Sequence, residues 1–171
     1  MLINGFVRML KNNHDPAAGK LIGIISDTHG LVRPEALRAL EGVEMILHAG
    51  DIGKQEVLDT LNQIAPVVAV RGNNDKGEWA QSLPDWDVVE AGDVSIYMLH
   101  DLKEIDISPS GGVFRVVVSG HSHKPSIEEQ RGVLYVNPGS AGPRRFTLPV
   151  SVAHLNVIAE KVDAKIIELS V

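Results

Sequence analysis

Short aliphatic runs, each closed by a polar, glycine-containing cluster, recur along the chain from Leu21 onward. LIGIIS (21–26) ends in Asp27-Thr28-His29-Gly30, EMILHA (44–49) in Gly50-Asp51, and PVVAV (66–70) in Arg71-Gly72-Asn73-Asn74-Asp75. VSIYML (94–99) runs into His100-Asp101, VFRVVVS (113–119) into Gly120-His121-Ser122-His123, and GVLYV (132–136) into Asn137-Pro138-Gly139-Ser140. Runs of this length, rich in Val, Ile and Leu and bounded by turn residues, predict buried strands. The reactive residue types all follow the strands.

Between the first three runs the period changes. Residues 34–40 predict a helix with Pro34 in its first turn, and 54–64 predict another with Val57, Leu58, Leu61 and Ile64 on one face. Strand alternating with helix implies right-handed crossovers and parallel pairing. The later runs are joined by short links, and 151–157 with 164–169 predict a terminal hairpin. The fold class is therefore α/β, with an α/β N-terminal half and a β-rich C-terminal half.

Residues 1–19 stand apart. Asn12-Asn13-His14-Asp15-Pro16 followed by Ala17-Ala18-Gly19 is linker chemistry and predicts a flexible extension ahead of a single domain spanning 20–171. The alternative is a docked segment using Leu2, Ile3, Phe6, Val7 and Leu10, which recur roughly at helical spacing. Met9 also offers an internal translation start.

Composition narrows the function classes. A length of 171 residues suits one domain. Net charge is −6, which offers no broad footprint for nucleic-acid backbones, so no long nucleic acid is expected as partner. With no Cys in the chain, disulfides, thiolate metal sites and a Cys nucleophile are excluded, and any metal must be held by His, Asp, Glu or Asn. The longest uncharged run, 146–159, has 14 residues, short of the ~20 that a spanning helix needs. The N-terminus lacks a secretory pattern. A cytoplasmic protein without a membrane partner is the expectation.

Ligands of open α/β sheets sit beyond the carboxyl ends of the strands. That rule gathers Asp27, His29, Asp51, Asn73, His100, His121 and His123 at one rim. Each cluster alone could be a turn or a satisfied histidine; their joint occurrence, each at a strand end, points to ligand chemistry. One metal takes three or four protein ligands, whereas this set suits two metals about 3.5–4 Å apart sharing one carboxylate, Asp51.

The ordered set D-x-H, G-D, G-N-x-D, H and G-H-x-H resembles the calcineurin-like metallophosphoesterase superfamily over 21 to about 169. SDTHG (26–30), RGNND (71–75), GHSH (120–123) and NPGSAGPRR (137–145) look like its small phosphodiesterase branch, the YfcE type. That branch includes a eukaryotic retromer subunit that serves as a scaffold. The resemblance implies a β-sandwich of two mixed sheets flanked by helices. It also implies that Asp27, His29 and His123 bind a first metal, that Asn73, His100 and His121 bind a second, and that Asp51 bridges them. Two divalent ions are implied, Mn²⁺ first, with Ni²⁺, Zn²⁺ or Fe as alternatives that a thiolate-free donor set does not separate.

The expected activity is hydrolysis of a small phosphodiester by hydroxide held between the two metals, with Asp51, Asn73 and His121 as the catalytic set. The alternatives are a phosphomonoesterase and a non-catalytic scaffold of the same fold. Many family members carry His directly after the Asn of G-N-x-[DE]; here Asn74 stands there and cannot act as a general acid. A Gly commonly follows the His that Asp101 follows here. Arg33, Asn74 and Arg144 are the candidate substrate contacts, with Arg145 beside the last, because guanidinium matches phosphate. Asp75 is expected to orient a ligand histidine, Asn137 to hold its loop, and His48 to be buried rather than ligating; His14 and His154 receive no role. Exposed aliphatics on the terminal hairpin, such as Val152, Ile166 or Ile167, would favour a homo-oligomer.

Overall fold

The computed structural model describes residues 8–9 and 18–171. Most of the predicted extension over 1–19, including the apolar positions of its docked alternative, lies outside the described residues. The elements are β1 (Arg8–Met9), β2 (Lys20–Ile25), α1 (Pro34–Ala39), β3 (Met45–His48), α2 (Gln55–Leu61), β4 (Val67–Ala69), β5 (Trp86–Ala91), β6 (Val94–Leu99), β7 (Val116–Val118), β8 (Ser126–Gln130), β9 (Val133–Asn137), β10 (Ser151–Ile158) and β11 (Lys161–Glu168). Among the described residues no helix is long and apolar enough to cross a membrane.

Two mixed sheets face each other. One has the order β11-β10-β2-β3-β4, the other β1-β5-β6-β7-β9-β8. In the first, β2, β3 and β4 run parallel, as the helical crossovers require, while β10 joins β2 antiparallel. In the second, β6, β7 and β9 run parallel. The period of two along each strand sorts the side chains. Ile22, Ile24, Leu47, Val68 and Leu155 turn inward to meet Val89, Ile96, Met98, Val116 and Val136 of the other sheet. Their neighbours Ile25, Ile46, Ala69 and Val152 turn outward beneath Ala36 and Leu40 of the first helical segment and Val57, Leu58 and Leu61 of α2. The outer face of the second sheet, with Tyr97, Leu99, Val117 and Val133, is covered by Ile105, Ile107 and Phe114.

Several elements depart from the sequence expectation. β5 leaves no aliphatic run in the sequence because Asp87 and Glu90 interrupt its apolar pattern, and β8, with four of its five residues exposed at a sheet edge, carries no burial signal at all. The run 113–119 narrows to β7, since Val113 is exposed and Phe114 packs outside the sandwich. Both helices are shorter than predicted, and the hairpin is longer, with Lys161 already paired to Ile158. Of the hairpin aliphatics that would have favoured a homo-oligomer, Val152 is fully buried and Ile166 and Ile167 pack against the two cores, while Ile158 at the tip of the hairpin is exposed.

The parallel strands bring five loops to one rim, where backbone bonds extend the pairing beyond the strand ends. Asp27 N donates to Gly50 O (3.0 Å), His29 N to Asp51 O (3.0 Å) and Gly30 N to Ile52 O (2.7 Å). His48 locks this joint from beneath. Gly50 N–H donates to its Nδ1 (3.2 Å), and the Thr28 hydroxyl donates to Ile52 O (2.9 Å), so His48 Nε2–H donates to Thr28 Oγ1 (3.0 Å). One neutral tautomer satisfies the whole chain. Burial pushes the His48 imidazole down to about 3 from the ordinary 6.5.

Two consequences are measurable by urea unfolding of the metal-free protein. Leu47→Ala, at a fully buried inter-sheet position, is expected to cost ~2–5 kcal/mol, and Ile127→Ala at the exposed edge under ~0.5 kcal/mol. Unfolding lets His48 take up a proton that the folded state refuses between pH 6.5 and about 3. Stability therefore falls with acidification across that window, at most by about 1.4 kcal/mol per pH unit for this group. His48→Gln is expected to flatten the slope by that amount; parallel slopes in the two proteins would refute the assignment.

Candidate metal centre

The seven sequence-selected residues converge. His123 Nε2 lies 3.1 Å from Asp27 Oδ1 and 3.4 Å from His29 Nε2, and His29 Nε2 lies 4.0 Å from Asp27 Oδ1 and 3.9 Å from Asp51 Oδ2. On the other side His100 Nε2 is 3.5 Å from Asp51 Oδ2 and 3.1 Å from Asn73 Oδ1, which is also 3.1 Å from His121 Nδ1. Two acid and imidazole groups, Asp27 with His29 and His123, and Asp27 with Asp51 and His100, each have their ligand atoms within 4.8 Å of one another. Asp27 belongs to both groups, and Asp51 stands between the histidines of the two sides.

The backbone at these residues is unusual. Asp27, His29, Asp51, His121 and His123 all have positive φ, between 46° and 67°. For residues with a Cβ that region is disfavoured and concentrates at functional sites. The turns are so tight that a Cβ on Gly72 would collide with Asp51, and one on Gly120 with Ser26 and Asp27. Asp75 holds the knot: its carboxylate accepts from the backbone N–H of Ile52 (3.1 Å), Gly53 (2.9 Å) and Gly72 (2.8 Å). It makes no hydrogen bond to a histidine among the described residues, and its contacts close the loops. Asn137 acts as expected, donating to Gly120 O (2.7 Å) and accepting from Gly139 N (3.0 Å).

The donor set fits a cation. The carbonyl of Ala49 accepts from His100 Nδ1–H (2.7 Å), which leaves the Nε2 lone pair of a neutral ring facing two acceptors, Asn73 Oδ1 and Asp51 Oδ2. Such a cluster of lone pairs is repulsive without a proton or a metal ion at its centre. Asp27 Oδ1 is buried with no hydrogen bond among the described residues, although Oδ2 accepts from Ser26 Oγ (2.7 Å) and His121 N (3.1 Å). An unsatisfied buried carboxylate oxygen facing two imidazole nitrogens is a donor arrangement that fits a metal ion.

The electrostatics agree. Burial opposes ionisation of Asp51, but His100 and the two Asn74 N–H groups outweigh it and hold the carboxyl well below its ordinary value. Asp27 is likewise lowered: burial works against it, while His123, Ser26 and His100 work for it. Burial lowers His100, yet Asp51, the Ala49 carbonyl and Asp27 raise it above the ordinary imidazole value. His29 is pushed down by burial, with Asp51 and Asp27 pulling the other way and His123 and Arg145 adding to the depression.

The candidate substrate contacts are placed differently from the ligands. Asn74 does not present its amide outward: its backbone N–H donates to Asp51 Oδ1 (2.8 Å) and its Nδ2 to Asp51 Oδ2 (2.7 Å). Arg33 donates through Nε and Nη2 to Gly142 O (3.3 and 3.2 Å), pinning the loop after β9. Arg144 donates to Val171 O (3.1 Å), whereas Arg145 is the arginine whose charge reaches His29. Beside Asn73, His100 and His121 opens a cleft of about 680 Å³.

Residues 21–160 match the family model of the calcineurin-like phosphoesterase superfamily domain. A protein of Methanocaldococcus jannaschii described as a "probable metallophosphoesterase" is 37% identical over 163 residues, covering 87% of this chain and 81% of its own length. A solved structure described as a novel archaeal phosphodiesterase superposes with a TM-score of 0.71 at 26% identity, over 86% of this chain and 99% of that one. Vacuolar protein sorting 29 of Cryptosporidium parvum shares the fold, with a TM-score of 0.71 at 21% identity over 90% of this chain and 99% of its own. Strand-end ligand loops, a β-sandwich of two mixed sheets and these likenesses agree: the chain belongs to the calcineurin-like phosphoesterase superfamily.

Proposed function

We propose that the protein is a metal-dependent phosphodiesterase acting on a small phosphodiester. Asp27, His29 and His123 would hold one divalent ion, Asn73, His100 and His121 a second, and Asp51 would serve both. The observation that carries the reading is the convergence of imidazole nitrogens on Asp27 and Asp51, with Asp27 Oδ1 left without a hydrogen-bond donor among the described residues. Bound divalent ions in such a site supply charge neutralisation for phosphoryl oxygens and lower the pKa of water toward ~7.

The chain's own residues prepare this chemistry. Asn74 grips both oxygens of Asp51 and so fixes the carboxylate that both sides share. As an amide it brings no titratable proton, which favours esters whose leaving alcohol is a good leaving group. The cleft beside Asn73 leaves room for a second ester substituent, which a monoester does not need. The phosphodiesterase description of the archaeal structure supports the same choice. A scaffold role would put no demand on the donor set, whereas here the seven ligand candidates are all in place.

Chelator-stripped protein reconstituted with Mn²⁺ or Ni²⁺ is expected to hydrolyse bis-p-nitrophenyl phosphate faster than p-nitrophenyl phosphate. Residues that only orient ligands contribute ~10–100-fold, so loss of the shared carboxylate in Asp51→Asn should cost at least ~100-fold in kcat. Faster monoester cleavage would make the enzyme a phosphomonoesterase. Stoichiometric metal binding without any turnover would point to the scaffold.

A further inference from the structure

We propose that the cleft beside Asn73, His100 and His121 receives one alcohol moiety of the diester, and that this moiety is a polyol or sugar. The inference deepens the phosphodiesterase reading and rests on it. A volume of about 680 Å³ lies within the ~300–1,000 Å³ of small-molecule sites. Such sites are mostly apolar with a few polar groups. Here the proportion is reversed: every lining residue is charged, polar or glycine, and no aliphatic side chain, Phe, Tyr or Trp takes part. An acyl chain would find no aliphatic side chain to pack against there, and a nucleobase no Phe, Tyr or Trp face among those residues.

Charge excludes a second class. Two basic side chains line the cleft against four acidic ones, so a second phosphate or carboxylate on the ligand is disfavoured. The basic member Arg71 is already committed, donating through Nε (3.1 Å) and Nη2 to Asp85 Oδ1. Asp101 leans toward His121, with Oδ2 3.6 Å from Nε2. Lys76, Gln81 and Glu104 remain. All three are exposed, and no side-chain hydrogen bond or ion pair engages them among the described residues. They provide a donor, a donor and acceptor, and an acceptor. A neutral moiety bearing several hydroxyls, each able both to give and to accept, matches that trio.

Glyceryl p-nitrophenyl phosphate and methyl p-nitrophenyl phosphate share a leaving group and differ only in the retained alcohol. The Mn²⁺-reconstituted enzyme is expected to favour the glyceryl diester by about tenfold in kcat/KM, mainly through KM. Gln81→Ala and Glu104→Ala should each shrink the glyceryl-to-methyl ratio about three- to tenfold, the worth of one hydrogen bond. A ratio near one in the parent enzyme, a ratio untouched by both substitutions, or a preference for octyl p-nitrophenyl phosphate would overturn the proposal. If no diester is hydrolysed, the phosphodiesterase reading is what fails. Calorimetric titration of the metal-loaded protein with glyceryl methyl phosphate then decides the cleft: binding weakened by Gln81→Ala supports it, and no binding refutes it.

Discussion

Two carboxylates, Asp27 and Asp51, are buried at the ends of neighbouring parallel strands, and the loops around them are organised by the need to keep them ionised. A buried charge is costly unless it is paired and hydrogen-bonded. Asp51 meets that demand with two donors from Asn74, and Asp27 with Ser26 and the His121 amide on one oxygen. The other oxygen of Asp27 is left to the imidazoles. Compensation that stops one contact short is what makes the site receptive to a cation.

Placing the donors also strains the backbone. Left-handed geometry costs roughly 1–2 kcal/mol per L-residue, and five of the seven ligand candidates adopt it. The surrounding bonds keep it in place: the loop-to-loop ladder from Asp27 to Gly30, the three amides on Asp75, and the buried His48–Thr28 link. Gly72 and Gly120 let the loops approach closely enough for those bonds to form. Local strain is therefore carried by a rigid two-sheet core rather than by the loops themselves.

The two sides of the site differ in what they offer beyond metal ligands. Toward His29 the charge of Arg145 acts on the ring. Toward His121 the surface falls into a polar cleft with more acidic than basic side chains and a closed Arg71–Asp85 pair. The proposed diester, anionic at its centre and neutral on one arm, is built on that asymmetry. The same fold in vacuolar protein sorting 29 shows why sandwich architecture alone decides little about use.

What the sequence determined by itself was local in origin. Aliphatic runs ending in Asp, His and Asn mark strands and their reactive ends, because burial on a sheet has period two and reactive loops follow it; β2, β3, β4, β6 and β9 and all seven ligand candidates were legible this way. The edge strand β8 was not, because an exposed edge buries too little to leave a pattern. Asn74 on Asp51, Asp75 on three amides, Arg33 on Gly142 and the lining of the polar cleft were decided only by tertiary structure. Their partners lie on other loops, and a side chain that can donate or accept in many directions takes its role from whichever distant group the folded chain brings within 3 Å.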